Sequence, residues 1–210
     1  MTTLVNADPI AALYRATTTP QLVFVPALRF LAIDGHGGPN TSPAYAEAVQ
    51  ALFAVSYAAK FAVKKSDGED FKVSPLEGLW WAADMSSFVN GDKASWDWTM
   101  LIRQPEIVSA ELVDRLTEQV AATKGLPAAR ELRLATFEEG PAAQVLHVGP
   151  YADEATTIAR LHTFLRVHGL TFTGDLHPHR HHEIYLSDPR RAAPEKLRTI
   201  IRQPYDGGRE

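Results

Sequence analysis

Thr99-Met-Leu-Ile-Arg-Gln-Pro-Glu106 is repeated near the end of the chain as Arg198-Thr-Ile-Ile-Arg-Gln-Pro-Tyr205, and both copies contain Ile-Arg-Gln-Pro. The residues upstream of each copy follow one order: a strand that ends near Gly and Pro, a long helix, and two further strands. A duplicated segment of this kind indicates two related structural units. The sequence therefore predicts two strand-helix-strand-strand repeats, at about residues 28–106 and 130–205.

Two such repeats most economically form an α+β fold, in which an antiparallel sheet of about eight strands carries both long helices on one face. We expect residues 1–20 to be an N-terminal extension, residues 21–205 to form the domain, and residues 206–210 to be a frayed tail. A binding pocket is expected on the pseudo-twofold axis that relates the repeats, where side chains from both would converge.

Local patterns place most of the elements. Helices are predicted from Pro43 to about Lys64, with Thr41 or Ser42 as N-cap, and from Ser109 and Asp153 to the glycines that follow each periodic run. Strand patterns, in contrast, combine short apolar runs with nearby turn residues. They predict strands at 21–25 and 29–34, one at 71–82 interrupted near Pro75 and Gly78, a hairpin joining 132–137 to 142–148, and a last strand at 196–202.

The composition limits the function classes. The 21 basic and 25 acidic residues give a net charge of −4, which does not favour binding to nucleic acid. The absence of cysteine excludes disulfides and thiolate metal sites and is compatible with a cytoplasmic protein. No apolar run reaches the roughly 20 residues that cross a bilayer, so no membrane partner is expected.

Glu183 and Tyr185 are the candidate catalytic residues. They lie in His182-Glu-Ile-Tyr-Leu-Ser-Asp188, which reads as a strand entering a turn, and residues two apart on a strand share a face. A glutamate between apolar neighbours is costly to bury without a hydrogen bond or a cation. The alternative is a solvent-facing glutamate on a half-exposed strand.

Aromatic residues are the candidate ligand contacts. Phe53, Tyr57 and Phe61 recur at helical spacing as one stripe, and a stripe of this kind usually belongs to a core. Trp80 and Trp81 must face opposite sides of their strand, whereas Trp96 and Trp98 share a face. When the repeats are aligned through Asp84 and Asp188, Trp81 is equivalent to Tyr185 and Leu79 is equivalent to Glu183. Trp81 is therefore preferred to Trp80 as a ligand contact.

Three further features have two interpretations each. His147 is either a satisfied core residue or a donor in the pocket, and Tyr151 either binds ligand or packs at the start of its helix. His177, His179, His181 and His182 suggest a metal site, but the spacing fits known zinc patterns poorly. We therefore expect a polar loop there, with no metal and no cofactor.

Five motifs stand out in the sequence: Phe30-Leu-Ala-Ile-Asp-Gly-His-Gly37, Pro75-Leu-Glu-Gly-Leu-Trp-Trp-Ala82, Trp96-Asp-Trp-Thr99, His147-Val-Gly-Pro-Tyr151 and His181-His-Glu-Ile-Tyr-Leu-Ser-Asp-Pro-Arg-Arg191. Together they resemble the GyrI-like small-molecule-binding family over about residues 24–205.

The resemblance implies a duplicated fold and a pocket for bulky, flat, often cationic aromatic compounds, with Glu183 in the pocket. It also implies that some members hydrolyse the cyclopropane ring of DNA-alkylating natural products, using a glutamate, a tyrosine and an aromatic cage. Binding of such compounds is thus the expected function, and cyclopropane ring opening is the alternative. The sequence leaves the oligomeric state open.

Overall fold

The computed structural model describes residues 9–39, 41–83, 93–173 and 180–206. It divides into two compact units, which we call the terminal unit, Met1–Pro26 with Glu139–Glu210, and the central unit, Ala27–Glu138. The described strands all pair antiparallel within these units, and helices accompany them in both. The predicted α+β class is therefore confirmed.

In its described residues the central unit contains four strands and two long helices. In chain order its elements are β2 (Leu28–His36), α2 (Pro43–Asp67), β3 (Leu76–Ala82), β4 (Trp96–Arg103), α3 (Ala110–Lys124) and β5 (Arg133–Phe137). The strands lie in the order β3-β4-β2-β5. As predicted, α2 starts after Ser42 with Pro43 in its first turn, and the Ser109 hydroxyl caps α3 by accepting a hydrogen bond from the Leu112 amide at 3.2 Å.

Helix α2 packs on its sheet through small and aliphatic residues rather than through its aromatic stripe. Its buried side chains are Ala48, Ala51, Leu52, Val55, Ser56, Ala59 and Val63. Tyr57 is 47% exposed and Phe61 is 61% exposed, so the core interpretation of the stripe is wrong for these two residues. Small side chains on this face allow the helix to pack against the sheet, and the bulky rings lie on its outer side.

Helix α2 is also long and apolar enough to cross a membrane by length and composition, which the sequence inspection did not anticipate. A helix that packs against the sheet of a globular domain passes the same test. Its contacts with β2 and β4 account for the apolar residues on its buried face.

The terminal unit combines the N-terminal segment with the last third of the chain. Its elements are α1 (Pro9–Leu13), β1 (Gln21–Val25), β6 (Gly140–Val148), α4 (Glu154–Val167), β7 (Thr171–Phe172), β8 (His181–Tyr185) and β9 (Arg198–Asp206). Its sheet has the order β1-β6-β9-β8, and β7 also pairs with β9. Both units thus contain the order strand, helix, strand, strand, although the repeat and its boundaries stay a prediction.

The predicted hairpin between residues 132–137 and 142–148 is wrong. Strand β5 pairs with β2, whereas β6 pairs with β1 and β9. The residues that join β5 to β6 include Glu139, which is 3% exposed and therefore does not sit in a solvent-facing turn. Gly140, with φ of 71°, provides the left-handed backbone at the point where β6 begins.

Two strand predictions need correction. Strand β3 begins at Leu76, after Pro75, rather than at Phe71, and its ladder with β4 continues through Gly78, so no bulge interrupts it. The last strand is Arg198–Asp206 and extends further than predicted. The polar loop predicted around His177 lies outside the described residues.

The ladder registers also disagree with the alignment through Asp84 and Asp188. Ile102 and Ile201 occupy the same position in the two Ile-Arg-Gln-Pro motifs; Ile102 pairs with Leu76, and Ile201 pairs with Glu183. Glu183 therefore corresponds to Leu76 rather than to Leu79. A shift of three residues reverses the strand face, so it removes the argument that preferred Trp81 to Trp80.

Substitution of Gly35 tests how tightly the aromatic core of the central unit is packed. A Cβ atom at Gly35 would overlap the ring of Trp98, which lies directly opposite on β4 and is 1% exposed. We expect Gly35→Ala to lower the free energy of unfolding by about 1–3 kcal/mol in urea denaturation. In combination with Trp98→Leu the cost should be smaller than the sum of the two single changes. Additive costs would contradict this packing.

Candidate functional site

Strand β8 divides its side chains between two environments in the terminal unit. Ile201, the ladder partner of Glu183, belongs to a buried cluster with Leu161 and Leu165 of α4. Ile184 belongs to a second cluster with Leu146 and Ile200, against which Tyr14 and Ala16 of the N-terminal segment pack. Because neighbours along a strand alternate, Glu183 and Tyr185 lie on the α4 side and His182 lies on the N-terminal side.

Glu183 is mostly buried and accepts a hydrogen bond at each carboxylate oxygen. Its side chain is 15% exposed; His181 Nε2 lies 3.0 Å from Oε1, and the Tyr185 hydroxyl donates to Oε2 at 2.7 Å. The solvent-facing interpretation of Glu183 is therefore wrong. The two hydrogen bonds favour the charged form of this carboxylate and orient it, and its remaining exposure allows it to meet a water molecule or a cation.

Tyr151 stands next to this pair at the start of α4. Its ring meets that of Tyr185 edge to face, with centroids 5.9 Å apart. Burial and, to a smaller extent, the negative charges of Glu154, Glu183 and Asp188 together raise the pKa of Tyr151 to about 12. The phenol therefore keeps its proton at neutral pH and can donate a hydrogen bond.

His147 has the geometry of a satisfied core residue. It is 5% exposed, its Nε2 lies 3.1 Å from the Pro150 carbonyl oxygen, and its Nδ1 lies 3.0 Å from the Thr157 hydroxyl. Since a carbonyl only accepts, Nε2 carries the proton and Nδ1 accepts from Thr157. His147 thus ties the end of β6 to α4.

The tryptophans of the central unit occupy both faces of its sheet. Trp98 is buried, donates from Nε1 to the Gly37 carbonyl at 3.0 Å, and meets Tyr45 edge to face. Trp80 stacks on Tyr45 with centroids 6.0 Å apart and meets Trp96 edge to face. Trp81 lies on the other face, opposite Asp97.

Sequence inspection missed Tyr45 and Trp80 as members of this aromatic cluster. Trp80 lies two residues from Gly78, on the helix-facing side of β3. The sequence alone does not show this, because the facing side follows from the register of β3 with β4. Lys93, which lies 5.4 Å from the Trp96 ring, adds a cation to the edge of the cluster.

Tyr57 and Phe53 lie on α2, away from the Trp80–Trp98 cluster. Tyr57 stacks on Phe61 with centroids 6.5 Å apart on the exposed side of the helix, and Phe53 is half-buried one turn earlier. Their proposed contact with a ligand stays a prediction.

The opposite side of β8 holds a buried ionic network. His182 Nδ1 lies 3.0 Å from Glu139 Oε2, and Arg202 donates to the same oxygen at 3.3 Å and to Gln144 at 3.0 Å. Arg202 also donates to the Leu13 carbonyl at 2.6 Å. Burial acts to raise the pKa of Glu139, but His182 and Arg202 outweigh it and hold that pKa below its usual value. The network fixes the N-terminal segment on the sheet.

The histidine cluster does not form one site on β8. His181 and His182 are neighbours on the strand and turn to opposite faces, so both cannot bind the same ion. Within the described ranges, no group of three metal-ligating side chains converges. His177 and His179 lie outside those ranges.

Fold and site together define an α+β small-molecule-binding domain with a buried glutamate. A sequence profile described as a GyrI-like small molecule binding domain matches residues 18–206. The chain belongs to the GyrI-like family, as the motifs predicted. Among curated protein sequences, none matches it significantly.

Two solved structures from Listeria innocua are similar over nearly the whole chain. One, an uncharacterized conserved protein, has 37% identity and a TM-score of 0.86 over 93% of this chain and 96% of its own. Another, described as a hydrolase, has 36% identity and a TM-score of 0.82 over 94% and 96%. The C-terminal domain of EcmrR, at 11% identity and a TM-score of 0.53 over 90% and 97%, shares the fold.

The pKa of Tyr151 reports the charge of Glu183. We expect Glu183→Gln to lower that pKa from about 12, because one of the charges that raise it is removed. Tyrosine ring-carbon NMR, over the pH range in which the protein stays folded, measures the shift. The exposed Glu195→Gln serves as control and should leave Tyr151 unchanged; equal pKa values in all three proteins would contradict the placement of Glu183.

The buried network predicts a pH-dependent stability. Because the pKa of Glu139 is lower in the folded state, its stabilising contribution is complete above the unfolded-state value of about 4.3 and is lost as the pH falls through the folded-state value. Glu139→Gln should cost about 3–5 kcal/mol at pH 7 in urea denaturation, and progressively less below pH 4. A cost that is independent of pH would show that the charge contributes nothing.

Proposed function

We propose that this chain is a small-molecule hydrolase in which Glu183 activates the water. The observation that carries this proposal is the Glu183 carboxylate, mostly buried and held by hydrogen bonds from Tyr185 and His181. The description of the similar Listeria structure as a hydrolase supports the same reaction class.

The substrate we propose is a cyclopropane conjugated to an unsaturated carbonyl on a flat aromatic skeleton, in line with the family resemblance. Water attacks a cyclopropane carbon and passes a proton to Glu183. The carbon–carbon bond breaks, and its electron pair moves through the conjugated system to the carbonyl oxygen, which takes up a proton. This assistance by a general base is worth on the order of 10²- to 10⁴-fold.

Tyrosines at the site fit the second proton transfer and the binding of a flat ring. Tyr185 already donates to Glu183, so it orients the base and can exchange its proton with it. Tyr151 remains a protonated phenol because its pKa is about 12, and we propose that it donates a hydrogen bond to the developing oxyanion. Their edge-to-face pair offers an aromatic wall.

The other sequence candidates divide by accessibility. Phe53, Tyr57, Trp81 and Trp96 are partly or largely exposed and remain proposed ligand contacts. Trp98 and His147 are buried and fully engaged, so we propose that each supports the fold of its own unit rather than touching the ligand.

A second candidate is a binding protein that sequesters cationic aromatic compounds without changing them. The observation that favours it is the set of three carboxylates, Glu154, Glu183 and Asp188, whose negative charges raise the pKa of the Tyr151 hydroxyl. Each aromatic contact with a cation contributes about 0.5–2 kcal/mol. In either case we place the protein in the cytoplasm, with a small aromatic molecule as its partner.

The two candidates are separated by one pair of assays. Wild type, Glu183→Gln and the control Glu195→Gln are each mixed with ethidium, to follow binding by fluorescence, and with a cyclopropane-bearing dienone alkylator, to follow added water by mass. We expect wild type and Glu195→Gln to add water, and Glu183→Gln to lose at least about 10²-fold of that rate. If the wild type binds the dye but adds no water, the hydrolase proposal is wrong and the binding function is supported.

A further inference from the structure

We propose that Gln203 and His181 are positioning residues for Glu183: Gln203 selects one tautomer of His181, and His181 fixes the rotamer of the carboxylate. The effect on activity rests on the proposed hydrolase function, whereas the tautomer of His181 can be tested by spectroscopy without it. No motif assigned a role to either residue within the reaction.

The three side chains form a continuous chain of contacts on the α4 side of the sheet. Gln203 Nε2 lies 3.0 Å from His181 Nδ1, and His181 Nε2 lies 3.0 Å from Glu183 Oε1. Gln203 is 2% exposed and His181 is 6% exposed. Hydrogen bonds in such a buried chain are stronger than in water, and an unpaired polar atom there is costly. Each donor therefore has to face an acceptor.

The chemistry of the partners selects the tautomer. A carboxylate only accepts hydrogen bonds, so His181 Nε2 must carry a proton to bond Glu183. A neutral ring then has a lone pair at Nδ1, and the Gln203 amide N–H donates to it. The other tautomer would set two acceptors face to face at Glu183 and two donors face to face at Gln203. Both ends of the chain therefore favour the same form of the ring.

Gln203 is held on a strand that cannot shift easily. Strand β9 pairs with β6 on one side and β8 on the other, and the preceding residue, Arg202, is anchored on the opposite face by Glu139 and Gln144. With Oε1 fixed by His181, the carboxylate presents Oε2, shared with Tyr185, in one orientation. A base held in this way keeps the attacking water in a productive geometry.

The first Ile-Arg-Gln-Pro motif supplies a matched control. Gln104 has the same position in that motif and is also 2% exposed, but it donates at 3.1 Å to the Ser56 hydroxyl and to the Ile102 carbonyl. Gln104→Leu therefore removes an equally buried amide that does not contact His181. Any effect confined to Gln203→Leu cannot come merely from the loss of a buried amide.

The spectroscopic test uses the full chain labelled with ¹⁵N-histidine at neutral pH. In wild type and Gln104→Leu, we expect His181 to be neutral with its proton on Nε2. Gln203→Glu replaces the donor by an acceptor, so His181 should become protonated at both nitrogens; in Gln203→Leu the population of the Nε2–H form should fall. A wild-type ring protonated at Nδ1 alone, or a His181 spectrum that is the same in all folded variants, would overturn the inference.

The kinetic test measures water addition to the cyclopropane-bearing dienone. Gln203→Leu should lower kcat about tenfold while KM changes less than about twofold, because positioning affects the transition state more than ground-state binding. Gln104→Leu should keep kcat. Equal kcat values in wild type and Gln203→Leu would contradict the positioning role. If the wild type adds no water, the proposed function fails, and the His181 spectra alone decide the inference.

Discussion

Strand β8 carries ionisable side chains on both of its faces, and each buried charge requires a partner within hydrogen-bond distance. On one face His182 contacts Glu139, which also binds Arg202. On the other face Glu183 contacts His181 and Tyr185. Breaking one such buried pair typically costs about 3–5 kcal/mol, a large share of the stability of a small domain. The neighbouring strands and the N-terminal segment are therefore held in the arrangement that satisfies both faces.

Strand β9 connects the two faces through consecutive residues of its Ile-Arg-Gln-Pro motif. Arg202 turns toward the N-terminal segment and binds the Leu13 carbonyl, while Gln203 turns toward α4 and binds His181. In the central unit, the glutamine of the same motif binds Ser56 on α2 instead. The motif thus supplies a buried amide on the helix side of a central strand, and the chemistry of each site depends on what the adjacent strand places beside it.

The elements with strong local signals could be predicted from the sequence, and so could the shared strand face of Glu183 and Tyr185. Pro43, Ser109 and the glycines that end the helices act through their own backbone, so their effects are readable locally. The pairing of β5 with β2, the burial of Glu139 and the outward stripe at Tyr57 could not be predicted. Each depends on a partner that is distant in sequence. Tertiary packing decides whether β5 and β6 form a hairpin or pair with other strands. It also decides whether the alanine face or the aromatic face of α2 lies against the sheet.

The repeated motif also shows that matching positions of the two units carry different side chains. With the two motifs superposed, the ladders bring Glu183 and Tyr185 to the positions of Leu76 and Gly78. Neither of these residues can accept or donate a proton through its side chain. Nearby, Tyr45, Trp80 and Trp98 fill the helix side of the central sheet with contacting rings, and Gly35 makes room for Trp98. The matching positions of the central unit therefore contribute packing, whereas those of the terminal unit hold a carboxylate and a phenol.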